Sequence, residues 1–484
     1  MAATNHDTYE VVIGLEVHAQ LLTNSKLFCG DAAAFGGEPN THISPITLGY
    51  PGTLPRLNRE AVVFAIRMGL ACGCEIERRN YFARKNYFYP DLPKGYQITQ
   101  HTTPICKGGS VKITVGGTSR NVMLNRIHLE EDAGKSLHDQ DDQNTCLDYN
   151  RAGVPLVEIV SEPDLFSSEE AYAYVTELRK LVRHLGICDG NMEEGSLRCD
   201  ANISIRPKGD TRLGTKVEVK NLNSIRNVKK AIEYEVDRMI RLAGNGERII
   251  QQTRSFDAAT DTTFALRTKE EANDYRYFPD PDLPPFVVTD SLLANIRSSM
   301  PALPEALMQK YIRSLQLPEY DARVISDDKD MIAYFEELIR ETAHTKAAAN
   351  WLLGPVKSYV NEQGIDISNM PVRPPVLAKL IGLVQEGKIS FSVASSKLFP
   401  ALLKRPDADP LQLATGLNLL QNSDEASVEG WVEQVLANMP EKVTEYKKGK
   451  KGLIGLFMGE VKKVSGGKAD PKIATQLLTK KLSS

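Results

Sequence analysis

Cysteine is scarce and unpaired in this sequence: seven residues among 484, none in a C-x-x-C spacing. Neither a disulfide framework nor a zinc ribbon is signalled, and a reducing compartment fits best. Long apolar runs are missing too, since no stretch reaches the roughly 18 apolar residues that a membrane span requires. The opening, MAATNHDTYEVVIG, has no basic segment followed by an apolar core, so we expect a cytoplasmic protein with no membrane contact. No G-x-G-x-x-G follows a strand pattern, which leaves a dinucleotide fold without support. The stretch RIHLEEDAGKS, 126 to 136, ends in Gly-Lys-Ser, yet Leu129 stands where a P-loop needs its first glycine. What is present there is a run of three acids, Glu130, Glu131 and Asp132, for which a cation is natural company.

Net charge is only −3, but it is unevenly placed. From Glu441 onward there are 11 Lys against 4 Asp or Glu, +7 net, which leaves −10 on the rest. An acidic body with a basic tail suits a protein that touches nucleic acid at one end; a solvated lysine-rich helical face is the plainer alternative. The length allows several domains. Strand patterns and Gly/Pro/aromatic turns dominate to about residue 295, and helical periodicity takes over beyond it. A proline-containing stretch, LFPALLKRPDADP, precedes a last helical unit. The expected division is 1–295, 296–405 and 406–484.

Three strands carry the chemistry. In YEVVIGLEVHAQL, Tyr9, Val11, Ile13, Leu15 and Val17 share one face, while Gly14, Glu16 and His18 share the other. SLRCDANISIRP sets Leu197, Cys199, Ala201, Ile203 and Ile205 against Arg198, Asp200, Asn202, Ser204 and Arg206. TKVEVKNL sets Val217 and Val219 against Lys216, Glu218 and Lys220. A capping-box pattern at Ser167 and Glu170 opens one helix, and another runs from about Ser224 to a glycine stop at Gly244. Strands outnumber helices and connections are short, so we expect an α+β chain whose sheet is largely antiparallel.

Glu16, His18, Glu131, Glu158, Asp200 and Glu218 each lie on or at the end of a predicted strand. Carboxylates crowded on one sheet face repel unless a cation sits among them, and Mg²⁺ with substrate phosphates suits such oxygen ligands. Arg198, Lys220, Lys85 and Arg206 could neutralise phosphate oxygens. A solvated face of paired charges is the competing reading. The near-echo of YFYPDLP (87–93) and YFPDPDLPP (277–285) reads first as Pro-Asp turns packed with aromatics, Tyr87 among them; a pocket for adenine or a tRNA acceptor end is the second reading.

At DYNRAGVPLVEIVSEPD, 148 to 164, these motifs meet a known family. Together with VIGLEVHAQL, RKNYFYPDLPKGYQITQ, HLEEDAGKS, EEGSLRCDANIS, VEVKNLNS and DYRYFPDPDLPP, the segment closely resembles the B subunits of the aspartyl/glutamyl-tRNA amidotransferases, from about residue 9 to the C-terminus. The resemblance implies a cradle domain resembling the glutamine synthetase catalytic fold, then an all-α helical domain and a helical tail that grips tRNA. It implies that Mg-ATP phosphorylates the side-chain carboxylate of glutamate on tRNA(Gln) or aspartate on tRNA(Asn). Ammonia then displaces the phosphate, supplied by an amidase (glutaminase) partner in a heterotrimer that a small third polypeptide completes. No Ser-Lys signature or Cys/His pair offers a glutaminase nucleophile in this chain.

By the same resemblance, Glu16, His18, Glu131, Glu158, Asp200 and Glu218 hold the metal. Lys85, Tyr87, Arg198, Arg206 and Lys220 serve the nucleotide, and Lys447, Lys448, Lys450 and Lys451 serve tRNA. Strict alternation puts Glu130, not Glu131, beside His128; the resemblance favours Glu131. Some members carry a zinc site built from Cys-x-Cys and Cys-Pro-x-Cys. Here Cys29 remains, but Asp31, Ser44 and Thr47 fill the other places, so no zinc is expected. A tRNA-binding scaffold without chemistry and a tRNA-independent amide ligase are the alternatives, separated by a requirement for aminoacylated tRNA.

Overall fold

The computed structural model describes residues 8–137, 140–141, 143–268, 275–421 and 424–483. The chain divides into two compact units, Met1–Leu303 and Pro304–Ser484. The elements that matter in the first are β1 (Tyr9–Gln20), α1 (Arg59–Ala71), β2 (Ala83–Asn86), β3 (Tyr96–Thr99), β4 (Thr118–Glu131) and β5 (Pro155–Ser161). They continue with α2 (Ser168–His184), β6 (Leu197–Pro207), β7 (Val217–Leu222), α3 (Ile225–Gly244), β8 (Gln252–Asp257) and β9 (Thr262–Thr268). The strands lie side by side in the order β9-β8-β7-β6-β1-β5-β4-β3-β2, and the short Phe278–Pro279 strand closes the β2 edge. Every neighbouring pair along this path is antiparallel except β7 with β8. The α+β expectation, with its antiparallel-dominated sheet followed by helices, is what the backbone forms.

Period-two alternation decides which side of this sheet is wet. Ile13, Leu15, Val17 and Ala19 of β1 are fully buried, as are Leu197, Ala201 and Ile203 of β6 and Ile127 and Leu129 of β4. They form one core with Tyr174, Val175 and Leu178 of α2 and Val228, Ala231 and Met239 of α3, which cover this face. Each Val, Leu, Ile or Met among them contributes about 1.5–3 kcal/mol by leaving water. A one-residue slip of β1 would drive Glu16 and His18 into that core, so the apolar set fixes where the polar set points.

The N-cap half of the expected capping box forms, with the Ser167 hydroxyl accepting from the Glu170 amide at 3.1 Å, while the Glu170 carboxylate reaches one residue further back and accepts from the Phe166 amide at 2.8 Å. The expected glycine stop of α3 falls two residues later than read from sequence. Gly244 is still helical, Asn245 caps the helix, and the left-handed residue is Gly246, with φ +73°. The helix Asp290–Ser299 buries Leu293 and Ile296 in the first unit's core, which carries that unit on to Leu303.

The second unit is helical throughout its described residues. It contains two separate apolar clusters. Trp351, packed against Phe391 and Phe399, lies in the first, which runs in sequence from Leu307 to Ala414. The second joins Val428, Val432, Phe457, Val461 and Leu478, from the helices Glu425–Asn438, Ile454–Val464 and Pro471–Ser483. No described helix is long and apolar enough to cross a membrane.

Candidate active site

The sheet face opposite the helices carries a row of ionisable groups across four adjacent strands. His128 of β4 lies opposite Glu158 of β5, Glu158 opposite His18 of β1, and His18 opposite Arg198 of β6. A second row joins it, with Glu16 of β1 opposite Asp200 of β6, and Asn202 of β6 opposite Glu218 of β7. Directly opposed residues in an antiparallel pair share a face, so register alone assembles groups from both ends of the first unit's sequence.

The distances are short. His18 Nε2 stands 3.6 Å from Glu158 and 3.7 Å from Glu130, while His128 Nε2 stands 3.2 Å from Glu158 and 3.8 Å from Glu130. One ligand atom each from His18, Glu130 and Glu158 lies within 4.8 Å of the others. Alongside, the Lys220 ammonium reaches Asp200 at 2.6 Å and Glu218 at 3.1 Å, and the Asn202 amide donates to Glu16 at 2.9 Å.

Electrostatics follow from this crowding. Burial, then the Glu158 carboxylate, raises the Glu16 pKa; His18 works against them, and Asp200 and Glu218 with them. Burial disfavours charge on His128, yet Glu158 and Glu130 outweigh it and hold the imidazole at about 9. Burial alone would raise the Glu158 carboxyl; His128 and His18 prevail and keep it well below the usual carboxylate range. For Lys85, burial is again the largest influence, and Glu130, Tyr277, Tyr275 and Glu158 together overcome it and raise the pKa. In the His18-Glu130-Glu158 group carboxylates outnumber the one imidazole and no thiol takes part, which fits a hard divalent cation such as Mg²⁺ better than a thiophilic one.

Comparison with known proteins decides the family. Residues 11–294 match the model described as GatB/GatE catalytic domain, and residues 333–482 match the model described as GatB domain. The chain is 48% identical over 475 residues to the aspartyl/glutamyl-tRNA(Asn/Gln) amidotransferase B subunit of Syntrophotalea carbinolica, covering 98% of this chain and 99% of the relative. It is 47% identical to the proteins of the same name from Thermodesulfovibrio yellowstonii and a Thermoanaerobacter species, with the same coverage. This chain belongs to the amidotransferase B-subunit family. The resemblance seen in the motifs therefore holds over nearly the whole length.

Against the ligand set that the family resemblance implied, the structure brings together Glu16, His18, Glu158, Asp200 and Glu218 but not Glu131. Residues 127, 129 and 131 of β4 point to the side of the buried Ile127 and Leu129, so Glu131 leaves the ionisable face. There Lys94 Nζ holds it at 2.5 and 2.6 Å, and the Ile98 amide donates to it at 2.9 Å. Glu130 takes the place beside His18, with the Thr99 hydroxyl 3.3 Å away. Arg206 is also apart: six residues along β6 from Asp200, roughly 20 Å at strand rise, it pairs with Glu10 at 3.0 Å. Arg198 stays on the site but is clasped by the buried Asp132 at 3.0 Å, which Gln20 also holds at 2.7 Å. Lys85 lies against the rings of Tyr275, 4.8 Å from its centroid, and Tyr87, at 5.7 Å. Lys447, Lys448, Lys450 and Lys451 are exposed, Lys450 pairing with Glu445 and Lys451 lying over Tyr446.

Sequence reasoning gave no role to His128, Lys94 or Lys26, and it offered Asp132 to a cation where the structure gives it to Arg198. Strand alternation was signal enough for His128, which shares the face of Glu130. The two lysines carried none, because they answer to partners distant in sequence. Lys26, fully buried, donates to the carbonyls of His42 (2.6 Å) and Tyr149 (3.3 Å), and with Lys94, Glu131, Phe28 and Tyr96 it lines a cavity of about 180 Å³. At the rim, the Cys29 thiol donates to Asp31 at 3.3 Å and lies 3.4 Å from the Thr47 hydroxyl, which itself donates to Asp31.

Proposed function

We propose that this chain activates the side-chain carboxylate of glutamate on tRNA(Gln), or aspartate on tRNA(Asn), with ATP, and presents the product to ammonia. The observation that supports it most is the opposed row His128-Glu158-His18-Arg198, flanked by Glu130, Glu16, Asp200 and Glu218 on the sheet face away from the helices, in a chain related to amidotransferase B subunits over nearly its full length. A carboxylate is a poor acyl donor because oxide would have to leave. Attack of its oxygen on the γ-phosphorus of ATP breaks the terminal P–O bond and gives an acyl phosphate and ADP. Ammonia then forms the C–N bond at the carbonyl carbon, phosphate departs, and the nitrogen loses a proton.

The protein's part is to hold two anions together. Glu16, His18, Glu130, Glu158, Asp200 and Glu218 would hold Mg²⁺, which when bound supplies positive charge to the phosphate oxygens. Glu130 replaces Glu131 in this set because it faces His18. Lys85 and Arg198 add fixed cationic groups on the same face, Arg198 oriented by Asp132. Lys220 pairs with both Asp200 and Glu218 and offsets their mutual repulsion. Arg206, paired with Glu10 at the far end of β6, is left out of the nucleotide site.

The remaining assignments rest on the family. The cradle resembles the glutamine synthetase catalytic fold, and the two apolar clusters of the second unit correspond to a helical domain and a tRNA-binding tail bearing Lys447, Lys448, Lys450 and Lys451. Glutamine supplies the ammonia through the amidase partner, held with this chain and a small third polypeptide in a cytoplasmic heterotrimer. The Cys29 group takes no zinc: one thiol, pushed up by burial and engaged with Asp31 and Thr47, does not make a tetrahedral thiolate set. A stoichiometric zinc signal from purified protein would contradict that. The test of the main reading is ADP release by the heterotrimer with and without glutamyl-tRNA(Gln). Stimulation by charged tRNA that disappears in Glu16→Ala supports it; tight tRNA binding without any stimulation supports a scaffold instead.

A further inference from the structure

Alternation along β7 breaks once. Val217 and Val219 are buried while Glu218 and Lys220 lie on the ionisable face, so strict period two would put Leu222 on that face too; instead Leu222 joins the apolar core. The break is a bulge. Ala201 of β6 lies opposite Val219 and Cys199 lies opposite Leu222, so Lys220 and Asn221 together face the single residue Asp200. Asn221 absorbs the extra length with φ +66°, and among the described residues it is the one non-glycine in the left-handed region that lies inside a strand. Asparagine enters that region at less cost than most residues with a Cβ. Its carboxamide donates to the Phe256 carbonyl of β8 at 3.4 Å, and the residue is exposed, so it supplies backbone conformation rather than packing.

What the bulge aims is Lys220. Its ammonium stands 2.6 Å from Asp200 and 3.1 Å from Glu218, two of the carboxylates offered to the metal. Burial is the largest influence on this lysine and disfavours its charge, yet Asp200 and Glu218 outweigh burial and raise its pKa. A divalent cation that approaches these carboxylates therefore meets a positive charge already seated between them. We propose that Asn221 is a positioning residue whose left-handed bulge keeps the Lys220 ammonium between Asp200 and Glu218, in competition with the divalent cation, and so sets the metal affinity of this half of the face. The inference rests on the metal-binding face of the proposed function and gives it a control point outside the ionisable set. The sign is distinctive. Removing a competing cation tightens metal binding, whereas general damage to the site loosens it.

The experiment titrates Mn²⁺ into the heterotrimer, reading the free-ion electron paramagnetic resonance signal, with the unfolding midpoint of each variant measured alongside. Lys220→Met should tighten Mn²⁺ roughly tenfold. Asn221→Ala and Asn221→Ser, which strain the left-handed backbone, should tighten it in the same direction by a smaller factor, and Asn221→Gly, which keeps that backbone, should match wild type. In the Lys220→Met background Asn221→Ala should change nothing further, as a double-mutant cycle requires when one residue acts through the other. Weaker or unchanged Mn²⁺ in Asn221→Ala and Asn221→Ser, or equal effects of Asn221→Ala with and without Lys220, overturn the positioning role. Weaker or unchanged Mn²⁺ in Lys220→Met overturns the competition. Where these fail while Glu130→Gln still weakens Mn²⁺, the metal face stands without the inference; wild type that binds no Mn²⁺ brings down both.

Discussion

Glu130 and Glu131 are chain neighbours at the end of β4, yet they serve opposite sides of one sheet. On the Glu130 side, carboxylates and histidines compete for few cations: Glu158 is shared by His18 and His128, and Glu16 is pushed toward its protonated form by burial and by Glu158. On the Glu131 side the charges are already matched, since Lys94 meets both carboxylate oxygens and the Ile98 amide adds a third donor. An under-compensated acidic face invites a divalent cation and a polyphosphate. A compensated pair is complete and holds β3 and the segment bearing Lys94 to the end of β4. The difference teaches that acidity alone does not mark a metal seat; what marks it is the shortage of partners.

Substitutions on the two sides should therefore fail differently. The largest effect is expected for Glu130→Gln, which keeps shape but removes a charge: ATP cleavage driven by glutamyl-tRNA should fall on the order of a hundredfold, with the unfolding midpoint little changed. A variant that instead unfolds early would make Glu130 a structural residue and erase the contrast. For Glu131→Gln the expectation reverses. Lys94 is left half-buried beside a neutral amide, and denaturant unfolding should show a loss of about 2 kcal/mol, short of the roughly 3–5 kcal/mol of a fully buried pair.

A pH experiment sharpens the Glu131 side. Burial pushes the Lys26 ammonium down to about 8, against the opposing pull of Cys29, Asp31, Glu131 and Asp148. Its folded value lies below the unfolded one, so the unfolded chain binds more protons between pH 8 and about 10.4, and stability contributed at this residue rises with pH across that window. The difference in unfolding free energy between wild type and Lys26→Met should grow by roughly 2 kcal/mol from pH 8 to pH 10; a flat difference would mean that Lys26 is charged without penalty. The smallest effect is expected for Thr99→Val. It removes the 3.3 Å contact to Glu130 and should cost a few-fold in metal affinity, below the roughly 10–100-fold typical of outer-shell partners.

Much of this was legible in the sequence, and the part that was not has a physical reason. Alternation in YEVVIGLEVHAQL and SLRCDANISIRP sorted Glu16, His18, Arg198 and Asp200 onto one face, because a half-buried strand must put its apolar residues on the other. The same rule points to Glu130, whereas the family match favours Glu131, which the structure places on the other side of the sheet against Lys94. Pairing order was not legible. That β1 lies between β5 and β6, which puts Glu158 and Asp200 on either side of the Glu16 strand, depends on contacts distant in sequence. Nor could spacing reveal that Asp132 clasps Arg198, or that Arg206, on the correct face, lies too far along its strand to join the site.

Mn²⁺ binding, followed by loss of the free-ion electron paramagnetic resonance signal in the heterotrimer, tests the central claim most directly. Glu130→Gln should weaken Mn²⁺ at least about tenfold, while Glu131→Gln binds it as wild type does. The opposite pattern, with affinity lost in Glu131→Gln and kept in Glu130→Gln, would contradict the assignment of the metal to the His18-Glu130-Glu158 face.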